Sequence, residues 1–265
     1  MTDSAGRSLW SWRYLILELV RREFTGRYQH SMGGILWSFV QPLFLLAVYT
    51  LAFGVILKSP WGLSTDTKSF SLMLFAGLIV FNAFADCLRK APTLITSNPN
   101  YVRKIVFPLE IMPWVLGLTA LLNVAVSLTV WIVGYCLLIG MPSVTLLYFP
   151  LLLAAYFPLL LGVGWLFAAL GIVVRDMDPF IAVISQALLF LTPIFFSREA
   201  APAGLQTMLA INPLTFVVEQ TRRILFLGQP PDFAGLAIYL SLALLFSVAS
   251  LAFFRRVRPY FADLI

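Results

Sequence analysis

The feature that most constrains this chain is the run from Leu36 to Leu57, 22 residues without an Asp, Glu, Lys or Arg. At 1.5 Å per residue a helix of that length reaches about 33 Å, enough for the ~30 Å hydrocarbon core of a bilayer. Further apolar stretches follow at about Phe70 to Leu88, within Ile111 to Ile139, within Val144 to Val174, at about Phe180 to Ser197, and at Phe233 to Phe254. Charged residues are 11% of the chain, against roughly 25% in a soluble domain. Polar groups this sparse cannot cover a water-facing surface, so lipid must cover much of it. The expectation is an all-α membrane protein of about six transmembrane helices.

The segments between the spans are few and distinctive. Residues Leu9 to Tyr28 place Leu9, Trp12, Ile16, Leu19 and Phe24 near one face of a helix, and Arg13, Glu18, Arg21, Arg22 and Arg27 largely on the other. A basic amphipathic segment beside a span suits a helix lying in the membrane interface. The chain therefore divides into an interface helix over 1–32 and a membrane domain over 33–258. Arg89 to Pro108 is polar, and a short helix is expected to start near Asn98-Pro99. Arg198 to Asp232 is too polar to span. Within it Asn212 reads as an N-cap and Pro213 as the first helical residue. Leu214 to Leu227 sets Val217, Val218, Ile224 and Leu225 against Glu219, Arg222 and Arg223, which predicts an amphipathic helix on or dipping into the surface.

Orientation follows from the basic residues. Of the 18 Lys and Arg, all but Lys58, Lys68, Arg198, Arg222 and Arg223 fall on one side of the predicted spans. The positive-inside rule makes that side cytoplasmic, with both termini in the cytoplasm. The same placement accounts for the net charge of +6 without nucleic acid as a partner.

Several chemistries are missing. No glycine-rich run leads into any of Lys58, Lys68, Lys90 or Lys104, so the chain has no phosphate loop for ATP. There is no H-E-x-x-H and no G-x-S-x-G, and neither Cys87 and Cys136 nor the single histidine, His30, builds a metal cluster. No catalytic residue, metal or cofactor is expected here. Asp86 is the main ionisable candidate inside a span, so proton-driven transport has little to work with. Energy for uphill movement would come from a partner chain.

Three groups of residues are candidates for function. Tyr101, Arg103 and Lys104 among Val102, Ile105 and Phe107 could press a short helix into a soluble partner, or could serve only as a positively charged loop. Phe39, Phe44, Tyr49, Phe53, Phe75, Phe81, Trp131, Tyr135, Trp165 and Phe167 lie within spans. Aromatic faces can stack on sugar rings in a lumen, or they can be lipid-facing bulk. The arginines of the first helix, with Arg27-Tyr28 near the membrane, suit a lipid diphosphate, and anionic phospholipids equally well.

The run Arg22 to Trp37 (REFTGRYQHSMGGILW), followed by Gln41-Pro42-Leu43 and Tyr49, resembles the opening of ABC-2 type permeases that export polysaccharides. The resemblance is nearest to the Wzm-type permeases of O-antigen-type glycans. It continues in Val102 to Glu110 (VRKIVFPLE), Val174-Arg175-Asp176, Leu191-Thr192-Pro193-Ile194, and Asn212-Pro213-Leu214 with Glu219 and Arg222. These short matches keep the family's order across nearly the whole chain. The pair Gly33-Gly34 departs from it, because relatives often have one glycine beside a bulkier residue.

The resemblance implies two permease copies with two separate ATPase subunits, which would carry the ATP and Mg. It implies a coupling helix at Asn98, Tyr101, Val102, Arg103, Lys104 and Ile105. A lipid-linked glycan would be admitted near Arg22, Arg27, Tyr28 and Trp37 and would pass aromatics such as Tyr49, Phe53, Trp131 and Tyr135. Re-entrant helices with Asn212, Pro213, Glu219 and Arg222 would gate the exit. Other readings stay open: export of a drug or other small amphiphile, or an intramembrane acyltransferase, for which only Asp86, Asn82 and Asn123 offer polar groups.

Overall fold

The computed structural model describes residues 12–26, 36–49, 51, 67–102, 107–174, 176–196, 198 and 201–261. Among them every regular element is helical. In chain order these are α1 (Arg13–Gly26), α2 (Trp37–Tyr49), α3 (Thr67–Lys90), α4 (Pro99–Val102), α5 (Met112–Leu138), α6 (Phe149–Val173), α7 (Met177–Phe190), α8 (Ala203–Ile211), α9 (Pro213–Leu225) and α10 (Phe233–Val257).

Four of these, α3, α5, α6 and α10, are long and apolar enough to cross a membrane. Their 24 to 27 residues rise about 36–40 Å. The helices at the other two expected spans are shorter among the described residues. Helix α2 has 13 residues with Pro42 inside it, and most of the remainder of Leu36–Leu57 lies outside the described residues. Helix α7 has 14 residues, about 21 Å, and stops at Phe190 where a longer span was expected. Pro193 is the reason: it has no N–H to donate, and it disfavours helical backbone at Thr192 before it.

The long helices run up and down, so their ends collect at two levels. One level holds Lys90, Glu110 and Arg258 and is called the basic end here. The other holds Leu72, the turn at Ser143 and Asp232. Helix α3 is the centre of the bundle: 89% of its apolar window is buried inside the protein. Between helices in lipid there is little hydrophobic driving force, so association depends on close packing. The α6–α10 contact illustrates it. A methyl group at Gly162 of α6 would overlap the Phe246 ring at 2.5 Å and approach Ser247 Cα at 3.2 Å.

Polar side chains tie the bundle at three depths by donating to carbonyls of neighbouring helices. Trp131 Nε1 donates to Leu72 O (2.9 Å), Tyr156 Oη to Val80 O (3.0 Å) and Trp165 Nε1 to Glu110 O (3.1 Å). Each places an aromatic ring in the interior with its own indole or phenol donor satisfied.

Helix α9 decides between the two placements the sequence left open: it does not lie on the surface but dips into the bundle. Val217, Val218, Thr221 and Ile224 are fully buried, packed against α3 and α6. Its first turn forms as predicted: the Asn212 side chain accepts from Leu214 N (2.9 Å) and Pro213 occupies the first turn. Helix α8, between Arg198 and Asn212, falls in the stretch where the family resemblance implied re-entrant helices, although no local pattern marked it.

Candidate functional site

Two regions draw together the residues singled out in the sequence, one at each end of the bundle.

At the end opposite the basic one, three sequence motifs far apart in the chain meet. Where α7 stops, the Leu191–Ile194 carbonyls lose their helical donors. Asn212 Nδ2 donates to Leu191 O (2.9 Å) and to Thr192 Oγ1 (3.1 Å), while Thr192 Oγ1 donates back to Leu188 O (2.7 Å). Arg222 then reaches in from α9. Its Nη1 donates to Pro193 O (2.6 Å), its Nη2 to Ile194 O (2.5 Å) and its Nε to Met73 O of α3 (3.4 Å). The planar guanidinium can address three carbonyls at once because its five donors are fixed in a fork. Away from water an unpaired carbonyl is costly, so this arrangement holds the broken end of α7 against α3 and α9. Glu219 faces Arg198 at 4.0 Å, with both side chains partly exposed. Of the four residues expected at an exit gate, Arg222 is buried in this joint, Asn212 bonds into it from a half-buried position, Pro213 is exposed in the turn beside it, and Glu219 is partly exposed.

Sequence reading set Arg222 opposite the apolar face of α9. The signal for its burial was present: Arg222 follows Val218 by four residues, about 40° around a helix.

At the basic end, α3 runs into a turn segment over 91–97 and then the single turn α4. Backbone bonds such as Ala91 N to Cys87 O (3.0 Å) and Ser97 N to Thr93 O (2.8 Å) keep the segment compact. Asn98 Nδ2 donates to Leu94 O (3.0 Å). Arg103, Lys104 and Ile105 lie outside the described residues, and Val102 is described by its backbone alone. The rings on either side of them, Tyr101 and Phe107, stack with centroids 4.3 Å apart, so the two ends of this loop are held together.

Helix α1 lies beside this segment. Ile16 and Val20 are buried against Ile111 and Val115 at the start of α5, and Lys90 Nζ pairs with Glu23 at 2.8 Å. Between α1, the turn segment and α5 lies a cavity of about 440 Å³, lined by Arg22, Glu23, Lys90, Asn98 and Tyr101 on its polar side and by residues such as Leu94 and Met112 on its apolar side. Arg22, expected where a lipid diphosphate is admitted, and Asn98 and Tyr101, expected at the coupling helix, therefore share one cavity. Arg27 and Tyr28 fall outside the described residues. Trp37 is half exposed at the start of α2.

The aromatics divide by environment. Phe75, Phe81, Trp131 and Trp165 are core residues, whereas Phe39 and Phe44 are exposed. Trp131, read as a lumen residue, is fully buried within this chain. Tyr135 is half buried beside it, at 4.8 Å between centroids, and meets Phe226 edge-on at 6.4 Å. Tyr49 is described by its backbone alone, and Phe53 is outside the described residues. Among the described residues no group of three or more His, Cys, Asp or Glu is placed to hold a metal.

The family model described as "ABC-2 type transporter" matches residues 14–226. The chain is 24% identical over 261 residues to the O-antigen export system permease protein RfbA of Myxococcus xanthus, covering 98% of each chain. It is 22% identical over 253 residues to a protein of the same name from Klebsiella pneumoniae, covering 95% of each. The polysialic acid transport protein KpsM of Escherichia coli is 27% identical over 217 residues, 79% of this chain and 80% of that one.

Proposed function

Since this chain belongs to the ABC-2 type transporter family, we propose that it is the membrane-embedded permease subunit of an ATP-driven exporter of a lipid-linked polysaccharide such as O-antigen. The observation that carries this reading is similarity over 98% of both chains to a protein named as an O-antigen export permease. A second relative, named as a polysialic acid transport protein, supports the same substrate class. The chain itself performs no catalysis. ATP, with Mg, is hydrolysed by two cytoplasmic ATPase subunits, and two copies of this chain complete the conduit.

In this reading the basic end faces the cytoplasm of a bacterium, together with both termini, and the bundle sits in the inner membrane. Asn98, Tyr101, Val102, Arg103, Lys104 and Ile105 seat the ATPase. Arg22, Arg27, Tyr28 and Trp37 receive the lipid diphosphate at the interface, where guanidinium groups bind phosphate in a bidentate way. Tyr49, Phe53 and Tyr135 face the glycan, with Trp131 as the buried ring behind Tyr135. The joint built from Asn212 and Arg222, with Pro213 and Glu219 beside it, sets the position of the exit. The exposed apolar faces of α2 and α7 are covered by the second copy and by lipid.

Copurification tests the assignment. Arg103→Glu with Lys104→Glu should abolish capture of the ATPase while the chain still inserts, and deletion of the permease should leave lipid-linked glycan inside the cell. Unchanged capture removes this segment from the ATPase interface. A reporter fused after Ser64 should behave as extracytoplasmic; cytoplasmic behaviour there inverts the orientation.

A further inference from the structure

The turn segment at 91–97 joins α3 to the residues assigned to the ATPase, and its packing is unusually close. Pro92 rests on α6 at Gly171, backbone against backbone. A methyl group at Gly171 would overlap the Pro92 carbonyl oxygen and come within 2.5 Å of its Cα. One turn further along, Ile95 is fully buried in a cluster with Ala168, Ala169 and Trp165 of α6 and with Phe254 and Phe261. Small residues at three adjoining positions of α6 therefore let the segment lie directly on the helix. On the opposite side of the segment Leu94 borders the 440 Å³ cavity, at whose edge Lys90, the last residue of α3, pairs with Glu23. One face is thus closely packed and the other borders a cavity.

A displacement applied at Asn98 to Ile105 must pass along the stiffer path, because packed backbones resist compression while an exposed ion pair gives way. Helix α6 ends at Val173, and α7 begins four residues later at Met177. Helix α7 leads in turn to the joint at Pro193 and Arg222. We propose that Gly171 and Ile95 are positioning residues that transmit movement of the ATPase-binding segment to α6, and through it to α7 and the far joint. This rests on the assignment of Asn98 to Ile105 as the ATPase contact.

Two variants test it on the assembled transporter, neither altering that contact. Gly171→Ala wedges the segment away from α6, and Ile95→Ala loosens it by leaving a cavity. Both complexes should copurify with the ATPase as the wild type does and should retain at least half of its ATP hydrolysis. Glycan exported per ATP consumed should fall at least fivefold. A merely structural role would lower complex yield, hydrolysis and export together and leave that ratio unchanged; an unchanged ratio in Ile95→Ala overturns the proposal even if Gly171→Ala fails to accumulate. Conservative Ile95→Val should recover most of the ratio. If instead Arg103→Glu with Lys104→Glu leaves ATPase capture intact, it is the assignment of the contact that fails, whatever the two variants do.

Discussion

Arg222 Nη1 donates to Pro193 O at 2.6 Å, so the guanidinium of one helix satisfies a carbonyl that the proline of another has left without a helical partner. The proline and the arginine are complementary: the first ends α7 short of a full span, and the second fastens the loose end to α3 and α9. A buried cation of this kind contributes little as a charge and much as a set of directed donors.

Arg222→Leu should therefore destabilise the protein by about 3–5 kcal/mol, the usual range for removing one partner from a buried ionic or strongly hydrogen-bonded set. Arg222→Lys should recover only part of that loss, because an ammonium lacks the fixed fork. The thermal unfolding midpoint of the detergent-solubilised chain measures both. Equal midpoints for the Lys variant and wild type would show that charge alone suffices.

Asn212 performs two tasks that a single substitution separates. Its Oδ1 caps α9 at Leu214 N, and its Nδ2 bridges to Leu191 and Thr192. Asn212→Ala should cost about 1–3 kcal/mol by losing both. Asn212→Asp keeps the capping oxygen and turns an acceptor toward the Leu191 carbonyl. If thermal denaturation shows the Asp variant as stable as wild type, the bridge contributes nothing.

Glu110 and Arg258 pair at 2.5 Å, tying the start of α5 to the turn after α10. The side chains are 17% and 31% exposed, so solvent screening limits the pair to about 0.5–1.5 kcal/mol. A double-mutant cycle with Glu110→Gln and Arg258→Met should return a coupling energy of that order. A value near zero would mean that the Trp165 bond to the Glu110 carbonyl holds this end without help.

The Glu23–Lys90 pair is more exposed and should matter for docking rather than for global stability. Glu23→Lys should speed tryptic cleavage within α1 several-fold while the thermal midpoint stays put. Adding Lys90→Glu restores the attraction with its sign reversed and should return the slow cleavage rate. Slow cleavage in the single variant would show that Ile16 and Val20 dock α1 by themselves.

Much of the architecture was legible in order along the chain. Apolar length marked α3, α5, α6 and α10, because crossing a bilayer demands it. The capping pair Asn212-Pro213 marked the start of α9, because unsatisfied N–H groups at a helix start demand an acceptor. Asn98-Pro99 likewise marked the short α4. Burial was harder to read. In an apolar chain every helix face is hydrophobic, so periodicity could not separate Trp131, in the core, from Phe44, on the outside. Arg222 looked like a surface charge because the carbonyls it serves belong to residues 149, 29 and 28 positions away.

The sequence by itself thus determined the membrane setting, the basic and non-basic ends, the starts of α4 and α9 and the family, all of which depend on local composition and spacing. The tertiary structure decided which helix is central, that α7 is short and tied down, that α9 is buried, and that Gly171 bears on Pro92. Those are matters of contact between segments distant in the chain. The physical reason is that lipid and protein interior are nearly alike to an apolar side chain, so only packing and directed hydrogen bonds distinguish them.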